Sequence, residues 1–185
     1  MDLPVARTLH LAECGADSTW VFGYGSLIYK VDFPYLEREV AAIEGWERRF
    51  WQGSHDHRGT PEAPGRVVTL VPAAGAICKG VAYRVEHDVF EHLDHREKNG
   101  YERHAVSIDL SAQSRRVGGI LYVARADNHA FLGPAPLPEL ADHIARSAGP
   151  SGSNRDYLLE LAAALRELDE NDPHVQALEA LLLQR

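Results

Sequence analysis

Cysteine is scarce in this sequence of 185 residues, and the two that occur, Cys14 and Cys78, lie far apart. They form no Cys-x-x-Cys pair, so we expect neither a disulfide scaffold nor a zinc site of the usual spacing. Two isolated thiols are typical of a protein that works in a reducing compartment. We therefore predict a cytoplasmic location.

Long hydrophobic runs are also lacking, because no apolar stretch approaches the ~20 residues that span a bilayer. Residues 1–18 contain no basic start followed by an apolar stretch, so we expect no secretory signal and no membrane partner. Positive charge is in deficit, since 19 Lys and Arg stand against 27 Asp and Glu for a net charge of −8. Nucleic acid is therefore not an expected partner, because phosphate binding requires clustered basic residues.

The chain does contain a series of short strand-like runs followed by helical patterns. Its length suits one domain over residues 1–185, with an N-terminal extension at 1–18 and a core at about 19–170. The spacing of the strand-like runs favours antiparallel or mixed pairing into a small closed sheet. The runs are rich in β-branched and aromatic residues, and they cover 20–22, 44–52, 66–71, 77–85, 102–110 and 117–124.

Helical spacing of apolar residues predicts one helix at about 86–98, which Asn99-Gly100 would end. The last third of the chain predicts three more helices. Residues 149–154 form a predicted loop between the first and second of them. Asp172-Pro173 opens the third, because Asp is a good N-cap and Pro suits the first helical position.

The most informative local feature is Gly23-Tyr24-Gly25-Ser26, which directly follows an apolar strand. Two glycines at this place leave backbone N–H groups bare, and such groups can hold an anion, for example a carboxylate. The segment is not a dinucleotide fingerprint, because Ile28 stands at the third glycine position. It is not a nucleophile elbow either, since Tyr24 stands two residues before Ser26. An anion-binding loop and an ordinary turn out of the core both remain open at this point.

Glu97 is the candidate acid-base residue. Phe90, Leu93 and Glu97 lie at positions i, i+3 and i+7, so Glu97 continues the buried face of the predicted helix. Burial and the helix C-terminus both raise the pKa of a carboxyl group, which makes a usable base near neutral pH. An ion pair that closes the helix is the alternative, and Asp94 is a competing carboxylate.

His55-Asp56-His57 is the one segment that suggests metal binding. In a strand, His55 and His57 would share a face, and Asp56 would not. No third ligand follows at a recognisable spacing, so we predict that the protein has no metal site.

Five segments of the chain, in order, resemble the ChaC-type γ-glutamylcyclotransferases, the glutathione-specific branch of a larger superfamily: WVFGYGSLI, RRFWQGSHDHRGTPEAPGRVVTLV, GVAYRV, LDHREKNGYERH and LGPAPL. The resemblance extends from about Trp20 to about Leu168. It implies an α+β fold, in which helices surround a small mixed β-barrel. It also implies an enzyme that cyclises the γ-glutamyl unit of glutathione to 5-oxoproline and releases Cys-Gly, with no cofactor.

The resemblance also assigns roles to residues. The glutamate of its REK segment, Glu97 here, is the catalytic residue. Tyr157 matches a tyrosine that borders the pocket. Four arginines are candidates to meet the glycyl carboxylate, although surface charge or a structural bridge suits each of them better: Arg48, Arg49, Arg58 and Arg66. The substrate-binding loop comprises Val21, Phe22, Gly23, Tyr24, Gly25, Ser26 and Leu27.

Two other functions stay open. The same chemistry on other γ-glutamyl amino acids or amines is the first. A non-catalytic ligand-binding or regulatory protein is the second, and the presence of both Glu97 and the glycine loop argues against it, because a binding protein has no need of the acid.

Overall fold

A computed structural model describes residues 17–185 of the chain, in which five strands close into a barrel. The strand order is β1-β3-β2-β4-β5, and all neighbours are antiparallel except β1 and β5, which pair in parallel and close the barrel. This confirms the predicted α+β fold with a small mixed barrel. The strands are β1 (Ser18–Gly23), β2 (Glu37–Ser54), β3 (Gly65–Glu86), β4 (Glu102–Leu110) and β5 (Arg115–Val123).

Strands β2 and β3 are longer than the sequence predicted. β2 begins at Glu37 rather than at residue 44, and the two predicted strands 66–71 and 77–85 are parts of one strand, β3. The pairing shifts register between Glu44 and Trp46, where Gly45 has φ +89°. A glycine tolerates this φ, so the sheet bends there without ending either strand.

Four α-helices accompany the barrel in the described part of the chain: α1 (Val89–Arg96), α2 (Leu137–Arg146), α3 (Asn154–Glu167) and α4 (Pro173–Leu183). The prediction of 86–98 for α1 was too long, because β3 continues to Glu86 and Glu97 leaves the helical conformation. The predicted cap of α4 is confirmed, since Asp172 Oδ1 accepts a hydrogen bond from Val175 N at 3.1 Å.

The predicted loop at 149–154 is wrong in part. Ala148–Gly149 and Gly152–Ser153 pair as two short strands, β6 and β7. Ser153 then caps α3, because its Oγ accepts a hydrogen bond from Asp156 N at 3.0 Å. This tight hairpin carries the chain directly from α2 into α3.

The core continues from the barrel interior into the helices. Trp20, Phe50 and Tyr83 are buried in the barrel, and Leu158 and Leu178 on α3 and α4 are fully buried. Burial of this kind stabilises the fold by about 25 cal/mol per Å² of apolar surface. The helices are therefore part of the same core as the barrel.

The predicted N-terminal extension, 1–18, lies outside the described residues except for its last two, and of these Ser18 already begins β1. Cys14 also lies outside them. Within residues 17–185, no helix has the length and apolarity that a membrane crossing requires.

Candidate active site

Two adjoining cavities open where the glycine loop, the end of α1 and the start of α3 meet. The outer cavity has a volume of about 140 Å³ and the inner pocket about 40 Å³. Four residues line both, namely Ser26, Glu97, Tyr101 and Tyr157. Glu97 therefore lies where the two spaces meet.

The glycine loop forms one wall of the inner pocket. A short 3₁₀ turn over Ser26–Ile28 follows β1, and Ile28 N donates to Gly25 O at 3.0 Å. Among residues 17–185, no group accepts a hydrogen bond from the N–H of Gly25, Ser26 or Leu27. A Cβ atom at Gly25 would lie 2.8 Å from Val68 Cγ2, so the close packing here requires glycine. Bare N–H groups beside a pocket are suited to an anion.

Glu97 is held immediately after the last helical residue of α1. Its N–H donates to Leu93 O at 3.0 Å, and its side chain is 16% exposed. Burial raises the pKa of the Glu97 carboxyl to about 7. The positive charge of Arg96, at 3.7 Å, lowers this pKa, and the negative charges of Asp32 and Asp56 raise it further. The predicted rise in pKa is confirmed. A carboxyl group with this pKa can gain and lose a proton at neutral pH.

Asp94 has the opposite environment. The Arg103 guanidinium and the Tyr122 hydroxyl, the latter at 2.6 Å, donate to its carboxylate, and these contacts lower the pKa of Asp94. Its side chain is 48% exposed and lines neither cavity. Asp94 is thus a surface ion-pair partner and does not compete with Glu97.

Arg96 does not neutralise Glu97 in a close ion pair. Its guanidinium donates to Asp32 Oδ1 at 2.6 Å and to Ser26 Oγ at 3.1 Å, while its Nε lies 3.7 Å from Glu97 Oε1. The helix-closing ion pair considered from the sequence is therefore made mainly with Asp32. Arg96 instead links the end of α1 to the glycine loop.

Four tyrosines line the inner pocket, and each has a hydrogen-bonded hydroxyl, that of Tyr122 being the donor to Asp94. Tyr24 donates to Tyr122 O at 2.5 Å and Tyr101 donates to Val68 O at 2.7 Å, while Tyr157 accepts from Val68 N at 3.2 Å. Burial raises the pKa of Tyr24, Tyr101 and Tyr157 above that of a free phenol. These groups stay neutral at physiological pH and give the pocket rigid walls.

The structure brings together most of the residues that the sequence predicted. Tyr157 lines both cavities. Two residues of the predicted substrate-binding loop, Val21 and Gly23, line neither cavity, and Val21 is buried in the barrel. The predicted loop residues that line the inner pocket are Phe22, Tyr24, Gly25, Ser26 and Leu27.

Sequence reasoning did not identify Tyr101, although it lies only four residues after Glu97, because a lone aromatic at a strand start carries no periodic signal. Polar residues from four distant segments line the outer cavity and were also missed as a set: Lys30, Asp32, Ser54, Arg96, Asn99 and Ser151.

Arg58 is the one candidate arginine that lines the outer cavity, next to His57. Arg66 donates to the carbonyl oxygens of Phe50 and Gly133 at 3.1 and 2.6 Å. Arg49 pairs with Glu47, and Arg48 is buried away from both cavities. Within residues 17–185, no three His, Cys, Asp or Glu side chains are grouped so that they could hold a metal ion.

The fold and the site together define a class of protein. In this class a five-stranded barrel carries a glycine loop with unbonded backbone N–H groups, which lies beside a single carboxyl group whose pKa is near neutral pH. The profile of the ChaC-like protein family matches residues 19–185. The chain belongs to this family, which confirms the resemblance found in the sequence.

Several known proteins are similar over most of their length. γ-Glutamylcyclotransferase 2-3 of Arabidopsis thaliana is 46% identical over 167 residues, which cover 84% of each chain. Glutathione-specific γ-glutamylcyclotransferase 1 of Danio rerio is 42% identical over 178 residues, covering 91% of each. The crystal structure of a glutathione-specific γ-glutamylcyclotransferase from yeast matches with a TM-score of 0.84 and 34% identity, covering 91% of this chain and 96% of the yeast chain.

Proposed function

We propose that this protein is a γ-glutamylcyclotransferase that cleaves glutathione into 5-oxoproline and Cys-Gly. Glu97 is its general base and acid, and the glycine loop binds the γ-glutamyl unit. The observation that carries the proposal is the Glu97 carboxyl group, which has a pKa of about 7 and lies beside the free amides of Gly25, Ser26 and Leu27. The names of the similar proteins support the choice of substrate.

The two cavities divide the substrate between them. The α-carboxylate of the γ-glutamyl unit meets the bare N–H groups of the glycine loop in the inner pocket, and Tyr157 and Tyr101 enclose the chain. The Cys-Gly part extends into the larger outer cavity, where Arg58 and His57 supply positive or polar groups. The scissile amide then lies beside Glu97, where the two spaces meet.

The reaction moves two protons and needs no metal or cofactor. The α-amino group, an ammonium at neutral pH, gives one proton to Glu97, and the free amine attacks the γ-carbonyl carbon. The ring nitrogen loses a second proton and becomes the lactam N–H. The C–N bond to cysteine breaks, and the leaving nitrogen gains two protons to become the ammonium of Cys-Gly. One carboxyl group that returns each time to its ionised form can carry both protons.

Positioning of the γ-glutamyl chain supplies the remainder of the rate enhancement. Nucleophile and electrophile belong to one molecule, so the site need only hold the γ-glutamyl chain in a folded shape, which can contribute about 7–11 kcal/mol. The loop amides are also suited to stabilise the oxyanion that forms on the attacked carbonyl.

We also propose that the protein is cytoplasmic. Its partner is a small-molecule substrate, and it binds neither nucleic acid nor a membrane. The net charge of −8 and the buried, unpaired thiol of Cys78 support this proposal. An acidic protein can still bind anionic glutathione, because a local group of N–H donors holds the carboxylate.

The test is release of 5-oxoproline, followed by mass spectrometry, from glutathione, γ-Glu-Ala and γ-Glu-ε-Lys in separate reactions. We expect 5-oxoproline and Cys-Gly from glutathione alone. Release of 5-oxoproline only from another γ-glutamyl compound would support the proposed reaction and contradict glutathione as the substrate. No release from any of the three compounds would favour a binding protein.

The role of Glu97 is tested in the same assay with Glu97→Gln. The amide keeps the shape of the side chain and cannot take a proton, so turnover should fall by about 10²–10⁴-fold. Asp94→Asn is the matched control, an identical change three residues earlier outside the cavities, and it should retain most activity. Near-normal turnover of Glu97→Gln would remove Glu97 as the base.

A further inference from the structure

Arg48 is the most deeply buried charged side chain in the described part of the protein, with an exposure of 1%. It projects from β2 and lines neither cavity of the candidate site. A buried guanidinium is strongly destabilising unless its donors and its charge are satisfied. The partners of Arg48 therefore indicate what holds it there.

The charge of Arg48 is balanced by the connection between α3 and α4. Its Nη1 lies 3.3 Å from Asp172 Oδ2 and 3.7 Å from Glu170 Oε2. Both carboxylates are themselves fixed, because Asp172 caps α4 and Glu170 accepts a hydrogen bond from Lys79 N at 2.6 Å. The guanidinium is thus anchored to the C-terminal helices.

The remaining donors of Arg48 reach the backbone of the barrel and of the glycine loop. Nε donates to Tyr24 O at 2.6 Å, and Nη2 donates to Lys79 O. The Tyr24 hydroxyl is held separately by Tyr122 O, so this residue is fixed at both its side chain and its carbonyl. Tyr24 is the residue between the two loop glycines.

The bond to Tyr24 O controls the direction of the next amide. A trans peptide is planar, and its C=O and N–H point in opposite directions. A carbonyl of Tyr24 that points toward Arg48 turns the N–H of Gly25 to the other side of the loop. Gly25 lines the inner pocket and Arg48 does not.

We propose that Arg48 is a positioning residue: it fixes the Tyr24–Gly25 peptide so that the Gly25 N–H faces the γ-glutamyl carboxylate. The inference rests on the proposed function. Glycines on both sides of Tyr24 give this peptide wide freedom to rotate. The hydrogen bond from the charged guanidinium of Arg48 to the Tyr24 carbonyl removes that freedom before the substrate arrives.

The test is steady-state kinetics of Arg48→Lys on the full chain, with 5-oxoproline as a competing ligand that carries the same α-carboxylate. Lysine keeps the charge, but it cannot reach Tyr24, Lys79 and Asp172 together. We expect KM for glutathione and the inhibition constant of 5-oxoproline to rise together by about 10- to 100-fold, the loss of a hydrogen bond to a charged group. The neighbouring Arg49→Lys, at a half-exposed surface pair, should leave both constants unchanged.

A purely structural role would give another pattern. Partial unfolding lowers the fraction of active enzyme, so it reduces apparent kcat and leaves KM and the inhibition constant at wild-type values. That pattern would overturn the proposal. If the wild-type protein released no 5-oxoproline from any γ-glutamyl compound, the proposed function itself would fail instead.

Asp172→Asn provides a second variant should Arg48→Lys fold poorly. Asparagine is also a good N-cap, so α4 keeps its start while Arg48 loses its nearest counter-ion. We expect the same paired rise in KM and in the inhibition constant, of smaller size. Wild-type values of both constants in this variant and in Arg48→Lys would show that the anchor does not act on the loop.

Discussion

Glu97→Gln should make the protein more stable although it slows turnover by orders of magnitude. The Glu97 carboxyl group is nearly buried, and no residue among 17–185 donates a close hydrogen bond to it. Its ionised form is therefore poorly solvated in the folded state. Glutamine has nearly the same shape and carries no charge, so the substitution removes this unfavourable charge without leaving a cavity.

The size of the effect follows from the pKa. Burial raises the pKa of Glu97 from 4.5 to about 7 in the folded protein. This rise in the pKa means that ionised Glu97 destabilises the fold by about 3 kcal/mol. Because the folded pKa lies above the unfolded one, the penalty is absent below pH 4.5, grows as the pH rises and is complete above pH 7.

The assay is denaturant unfolding of wild type and Glu97→Gln at several pH values between 4 and 8.5. The two proteins should be equally stable near pH 4, and the variant should be more stable by about 3 kcal/mol at pH 8, or roughly 10 °C in melting temperature. Asp94→Asn, the exposed control, should differ by less than about 1 kcal/mol and in the opposite direction. A difference for Glu97→Gln that does not change with pH, or a loss of stability at pH 8, would refute the reasoning.

Four further results are expected. The kcat/KM of the wild type should fall tenfold per pH unit below about pH 7, because Glu97 must be ionised to act as the base; a flat profile down to pH 5 would contradict this. Asp32→Asn should move the inflection of the kcat/KM profile to lower pH, since it removes a negative charge near Glu97 and releases Arg96 from its ion pair with Asp32. Gly25→Ala places a methyl group 2.8 Å from Val68 Cγ2 and should raise KM at least tenfold by displacing the loop amides, whereas an unchanged KM would argue against their role. Tyr157→Phe leaves Val68 N without its acceptor and should destabilise the fold by about 1–3 kcal/mol in denaturant unfolding, with little change in the pH profile.

The sequence predicted the elements whose signals are local. The cap of α4 needed only Asp172 and Pro173, and the burial of Glu97 followed from Leu93 one turn earlier and Phe90 two turns earlier. The helix nevertheless ends at Arg96, so Glu97 is held by its N–H bond to Leu93 O rather than by a continuing turn.

The features that the sequence did not reveal depend on pairing between distant segments. Residues 37–39 are all charged and residues 40–43 are all apolar, which is not the alternation of a strand, yet the whole segment pairs with the neighbouring strand β3. The outer cavity likewise draws Lys30, Ser54, Asn99 and Ser151 from four segments. The sequence left Arg48 open between a substrate arginine, a surface charge and a structural bridge, and only the closed barrel shows that its donors point to Tyr24 O and the C-terminal helices.

The instability of ionised Glu97 and its proposed use in catalysis have one physical origin. A carboxyl group of pKa 4.5 would take a proton from an α-ammonium of pKa roughly 8 at a cost of about 5 kcal/mol. At a pKa of about 7 that cost falls to about 1 kcal/mol. The difference equals the destabilisation of the folded state, because both measure how poorly the site solvates the carboxylate. A substitution that adds a hydrogen-bond donor to Glu97 should therefore stabilise the protein and slow the reaction by comparable free energies.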